Sequence, residues 1–217
     1  MNMTLASADH GPLGMSAMNG PNPLLTVTNL ALSRGGRQLF AAVDLSLVAG
    51  QLLLLRGPNG AGKSSLLLAL AGILRPEAGR IDWHAEEPPK LHLVGHQPGV
   101  KSRLTLLENL RFWRAVNGPT GSAPEAALEA VGLDGLGELD AGYLSAGQTK
   151  RLTLARLLVT ERKLWLLDEP AASLDADGDA LVARLIAERL ASGGGVIAAT
   201  HDDIAGATQT LLLGLPA

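Results

Sequence analysis

Residues 57–65, Gly-Pro-Asn-Gly-Ala-Gly-Lys-Ser-Ser, set one lysine and two serines among small residues. They fit the spacing G-x-x-x-x-G-K-[ST] of a phosphate-binding loop. Gly57, Gly60 and Gly62 let backbone N–H groups turn inward around phosphate oxygens, with Pro58, Asn59 and Ala61 completing the loop. The helix expected from Ser65 onward adds its positive N-terminus. In this arrangement Lys63 reaches the β- and γ-phosphates and Ser64 holds Mg²⁺. The pattern implies a nucleotide polyphosphate without choosing the base or the reaction. A glycine-rich turn between strand and helix is the plain alternative, but lysine there makes poor core filler.

Two more polar clusters follow apolar runs. Asp168 and Glu169 come directly after Leu-Trp-Leu-Leu (164–167), and Thr200 and His201 directly after Val-Ile-Ala-Ala (196–199). Successive side chains at a strand end point in different directions. Asp168 can therefore face a metal shell while Glu169 faces an attacking water as general base; a solvated acidic strand end is the alternative. His92 and His96 have the i, i+4 spacing of a helical metal site, but Lys-Leu-His-Leu-Val-Gly-His-Gln (90–97) reads as a strand. There, residues four apart lie roughly 13 Å from one another, too far to share an ion.

These groups need elements that bring them together. The runs 52–55, 164–167 and 196–199 are continuously apolar, as expected of parallel strands covered on both faces. Ligands bind at the carboxyl ends of such strands, so all three polar tails converge on one site. Residues 24–32 and 44–50 alternate polar and apolar, the pattern of half-buried antiparallel strands. Helical patterns cover 65–73, 105–116, 125–132, 148–159 and 179–191. The expected fold is α/β: a mostly parallel core sheet, an antiparallel β subdomain, and a helical lobe inserted at about residues 100–160, with 117–125 as a loop inside it.

A chain of 217 residues with 47% hydrophobic content suits one domain, here residues 23–217. Residues 1–22 read as a disordered tail, with Met15 or Met18 as alternative starts and no signal-peptide pattern. The longest apolar run, Leu66–Leu74, is far short of the roughly 20 residues of a membrane span. A net charge of −3 with no basic block argues against nucleic acid as a partner, and the absence of cysteine excludes disulfides and thiolate metal sites.

Leu-Ser-Ala-Gly-Gln (144–148), upstream of the acidic pair, resembles the signature of the ATP-binding cassette ATPases, usually written LSGGQ, with Ala146 in place of a glycine. Ser145 and Gln148 also fit a helix capping box, so the stretch has a purely structural reading as well. Four further marks of the family stand in order: the phosphate loop, Gln97 as the glutamine joining core and helical lobe, Ala-Ser-Leu-Asp (172–175) as the D-loop, and His201 as the switch histidine.

The resemblance implies a P-loop nucleotide-binding domain that hydrolyses ATP with Mg²⁺. Catalysis would use Lys63, Glu169, His201 and Gln97, the metal would sit with Ser64, Gln97 and Asp168, and nucleotide contacts would include residues 57–65. Ser145, Gly147 and Gln148 would act on the ATP of a second cassette, either a related one or a second copy in a homodimer, with Asp175 coupling the two sites. Cassette ATPases usually stack an aromatic side chain on adenine; Ser-Arg-Gly-Gly (33–36) offers Arg34, whose planar guanidinium also stacks on rings.

Among short cassettes, segments 95–113, 143–158 and 164–175 are similar to ATP-binding subunits of bacterial cytochrome c maturation systems. That similarity implies integral membrane permease partners, haem export or release of a haem-loaded chaperone, and a peripheral place on the cytoplasmic face of the inner membrane. Drug or lipid exporters, a soluble nucleotide switch and a phosphate-loop kinase are the alternatives, the last having no use for residues 144–148.

Overall fold

The computed structural model describes residues 23–84 and 90–214. The tail expected over 1–22 lies outside the described residues. Strands β1 (Pro23–Arg34), β2 (Arg37–Val48) and β4 (Ala78–Trp83) form an antiparallel sheet in the order β2-β1-β4. Strands β3 (Leu52–Arg56), β5 (Leu91–Val94), β6 (Leu164–Asp168), β7 (Gly195–Ala199) and β8 (Gln209–Leu212) form a second sheet, ordered β5-β6-β7-β3-β8 and parallel throughout.

The apolar runs are continuous because both faces of this sheet are covered. Leu52 and Leu54, Trp165 and Leu167, Val196 and Ala198 face one core, while Leu53 and Leu55, Leu164 and Leu166, Ile197 and Ala199 face the other. That alternation follows from the two-residue period of a strand. The first core is closed by helices α2 (Leu106–Asn117), α3 (Pro124–Ala130), α4 (Ala146–Leu158) and α5 (Ala176–Ala191); the second is closed by α1 (Lys63–Leu70) and the antiparallel sheet.

Helix boundaries move from the periodic pattern to the nearest cap. Thr105 and Glu108 form a capping box on α2, and Ser145 and Gln148 form one on α4. Asp175 accepts from Gly178 N and starts α5 three residues before its apolar period begins. At the other end, α1 stops at Leu70 rather than Ile73, where Gly72 turns with φ +72°. Strands β4 and β8 had no clear sequence signal, since both are short and at most half-buried along much of their length.

Candidate functional site

Register along the sheet decides where the chemistry meets. Leu55 pairs with Ala199, and Ala199 pairs with Asp168, so β3, β7 and β6 end side by side. Their tails are the loop 57–62, Thr200-His201 and Asp168-Glu169. Arg34 from the β1–β2 hairpin, loop residues 59–65, His96, Asp168 and Glu169 line one cleft of about 340 Å³.

The loop's glycines are required by shape. Gly57 has φ +141°, and a Cβ there would lie 2.2 Å from the Leu213 carbonyl oxygen. Gly62 caps α1 at φ +98° with no side-chain cap, and no acidic residue stands in the first turn. The first N–H groups of α1 are thus left to an anion.

Lys63 is buried, and its Nζ donates to the carbonyls of Gly57 at 2.8 Å and Pro58 at 3.3 Å. Those two residues do not line the cleft but anchor the ammonium beneath it. The same Nζ lies 3.3 Å from His201 Nε2, which is also 3.2 Å from Asn59 Oδ1 and 3.9 Å from Glu169 Oε1. Cation, imidazole and carboxylate therefore share one point.

Asp168 is 7% exposed at the end of β6, whereas Ser64 is exposed at the cleft. Glu169 turns the chain with φ +46°, a left-handed conformation that costs a non-glycine residue on the order of 1–3 kcal/mol. Three hydrogen bonds hold it: Glu169 N donates to Ala199 O at 2.8 Å, and Glu169 O accepts from Ala172 N at 3.2 Å and from Lys150 Nζ at 2.6 Å.

Sequence reasoning missed three fasteners. Arg56 donates to the carbonyls of His201 at 3.1 Å and Asp202 at 3.0 Å and pairs with Asp203, tying the loop after β7 to β3. A cation closing the run Leu-Leu-Leu-Leu-Arg was its only signal. Lys150 gave none, because a lysine in a helix reads as a solvated face. Arg156, buried in α4, reaches Leu93 O at 2.8 Å and Pro98 O at 3.3 Å.

Not every expected residue enters the cleft. Gln97 is exposed and does not line it, whereas the neighbouring His96 does. Ser145, Gly147 and Gln148 stand apart from it at the start of α4, with Ser145 exposed and both side chains of its capping box engaged with the helix end. Asp175 is mostly exposed; the Gly178 N–H, and after it Arg151 at 3.5 Å, hold its carboxyl below the usual range. His92 is buried and donates from Nε2 to Thr160 O at 2.7 Å, far from any metal role.

A parallel sheet carrying this loop, this acidic pair and this histidine at one edge, with an antiparallel sheet on one face and helices on the other, is the architecture of a cassette-type P-loop ATPase. Residues 40–172 match the ABC transporter family model. A cytochrome c biogenesis ATP-binding export protein CcmA of Rhodopseudomonas palustris (strain HaA2) is 45% identical over 198 residues, 89% of this chain and 99% of that protein. The protein of the same name in Ruegeria pomeroyi is 49% identical over 180 residues, 83% of this chain and 86% of that protein. A solved ATP-binding subunit of an ABC transporter shares the fold with a TM-score of 0.79 at 23% identity, covering 88% of this chain and 85% of its own. The chain belongs to the ABC transporter family and, within it, to the CcmA group.

Proposed function

We propose that this chain is the ATP-hydrolysing subunit of a membrane complex for cytochrome c biogenesis, coupling hydrolysis to haem export or to release of a haem-loaded chaperone. Relatives named for cytochrome c biogenesis export, at 45% and 49% identity over most of the chain, support the biological setting. The observation that carries the motor reading is the meeting of Lys63, His201 and Glu169 within 4 Å of the histidine's Nε2.

In this reading residues 57–65 cradle the triphosphate, Lys63 pairs with its terminal charge, and Arg34 stacks on the base. Glu169 takes the proton from the attacking water, and His201 contacts the γ-phosphate. Ser64 and Asp168 are a hydroxyl and a carboxylate lining the same cleft, hard oxygen donors that suit Mg²⁺. When bound, the ion neutralises charge on the phosphate oxygens. Gln97 lies outside the cleft, so its contact with the metal requires segment 95–99 to turn inward.

Ser145 and Gly147 sit away from the chain's own phosphate loop, which supports a head-to-tail pair: each cassette presents its signature to the partner's ATP, and Asp175 lies between the sites. Separation after hydrolysis then moves whatever is attached. Among the described residues no helix is long and apolar enough to cross a membrane. Integral permease subunits supply the path, with this chain peripheral on the cytoplasmic face of the bacterial inner membrane.

The test is to isolate tagged Glu169→Gln protein with ATP from gently solubilised membranes, identify co-purifying integral proteins and record a haem absorption spectrum. Haem-handling partners are expected. A different permease would keep the motor and replace the cargo; recovery without any membrane protein would overturn the reading.

A further inference from the structure

The acidic pair has a cationic neighbour that belongs to another element. Lys150 lies in the second turn of α4, and its ammonium reaches across to the end of β6, donating to the backbone carbonyl of Glu169 at 2.6 Å. Glu169 is the residue held at φ +46°. A second cleft, of about 300 Å³, contains Lys150 and Ala172 and shares His96, Asp168 and Glu169 with the nucleotide cleft.

We propose that Lys150 is a positioning residue for hydrolysis, fixing the left-handed turn at Glu169 and thereby the direction of its carboxylate from the helix that begins with the signature Ser145. The proposal rests on the reading of Glu169 as the base.

A left-handed non-glycine residue persists only where its surroundings over-determine it. The Glu169 N–H and the Ala172 N–H hold the turn from within β7 and its own loop. Lys150 is the contact that comes from α4. A charged donor at a carbonyl contributes more than a neutral one, roughly 1.5–3 kcal/mol against about 1 kcal/mol. Burial pulls the Lys150 ammonium below the usual lysine range, while the Asp168 and Glu169 carboxylates act in the opposite direction. The ammonium thus stays beside the acidic pair at the expense of hydration, which a surface lysine would not do.

The signature helix and the catalytic turn are in this way joined by one side chain inside a single cassette. A displacement of α4 on pairing with a second cassette pulls on the Glu169 carbonyl and re-aims the carboxylate. A lysine is long enough to transmit this, and Leu144 and Ala172 line the same cleft as Lys150.

The experiment compares ATP hydrolysis by Lys150→Met, Lys150→Arg, Glu169→Gln and the Lys150→Met/Glu169→Gln double variant, each as the full chain. Methionine keeps the stem and removes the charge. Expected is a kcat lowered about tenfold or more in Lys150→Met with KM for ATP within about twofold, the split for an interaction made in the transition state. Lys150→Arg recovers most of the rate, and Lys150→Met causes no further loss once Glu169 is Gln, because the two act as one unit.

A full rate in Lys150→Met overturns the proposal while a slow Glu169→Gln leaves the base assignment standing. Equal losses from Lys150→Met in both backgrounds also overturn it, since the lysine then acts independently of Glu169. A full rate in Glu169→Gln overturns both together.

Discussion

Arg156 lies over Trp113 with its guanidinium carbon 4.2 Å from the ring centroid, and the two side chains grip the same segment. Trp113 Nε1 donates to Gly99 O at 3.3 Å, while Arg156 donates to Leu93 O and Pro98 O. A Cβ on Gly99, which has φ +64°, would lie 2.6 Å from an Arg156 nitrogen, so a side chain there would push the guanidinium aside as well as strain the backbone. Helices α2 and α4 thereby hold the segment that carries His96 and Gln97. Burial drops the guanidinium's pKa to about 10, still charged at neutral pH, and among the described residues it forms no ion pair with a carboxylate.

Arg156→Met should lower stability by about 2–4 kcal/mol, because the Leu93 and Pro98 carbonyls and the ring face lose their partner. Arg156→Lys should recover less than half, since an ammonium has neither the planar fork nor the stacking face. Urea denaturation of the three proteins checks this; a lysine variant as stable as the parent would show that charge alone suffices.

Lys63→Ala should weaken ATP binding by about 10- to 100-fold, the loss of one strong charge-assisted contact to phosphate. Lys63 also ties down Gly57 and Pro58 through their carbonyls, so the loop itself loosens. Titration calorimetry with ATP reads the affinity, and unchanged binding would remove Lys63 from the phosphate site.

Ser145→Asp separates the two uses of the signature serine. Aspartate caps a helix as well as serine does, so the thermal midpoint should stay close to the parent's. A carboxylate facing a partner's γ-phosphate repels it, and ATP hydrolysis should fall at least about tenfold, equivalent to about 1.4 kcal/mol. Parental activity in this variant would refute the paired site.

His92 makes stability depend on pH. Burial lowers its pKa from 6.5 to about 4, against the hydrogen bond to Thr160, which acts the other way. The unfolded chain binds its proton below pH 6.5 and the folded chain only near pH 4. Its contribution is therefore intact above pH 6.5 and lost as pH falls through 4, about 3 kcal/mol in all. Denaturation at pH 7 and 4.5 should show this loss in the parent and a smaller one in His92→Gln; equal slopes would mean that other groups carry it.

Much of the motor was legible along the chain. Residues 57–65 announce a phosphate loop because glycine torsions and lysine charge are local properties, and the runs before Asp168 and His201 announce buried parallel strands because both faces of each strand must be apolar. The capping box of Ser145 and Gln148 was equally local, whereas only hydrogen bonds showed that Thr105 and Asp175, rather than the apolar period, start their helices. What tertiary structure alone decided is distance between elements remote in sequence. The register Leu55–Ala199–Asp168 sets His201 beside Lys63, Arg56 fastens the loop after β7, and Lys150 meets Glu169. That Lys63, Glu169 and His201 converge was legible from the strand ends; their distances and the reach of Arg56 and Lys150 were not, because these depend on which strands lie side by side and how far a long side chain extends between them.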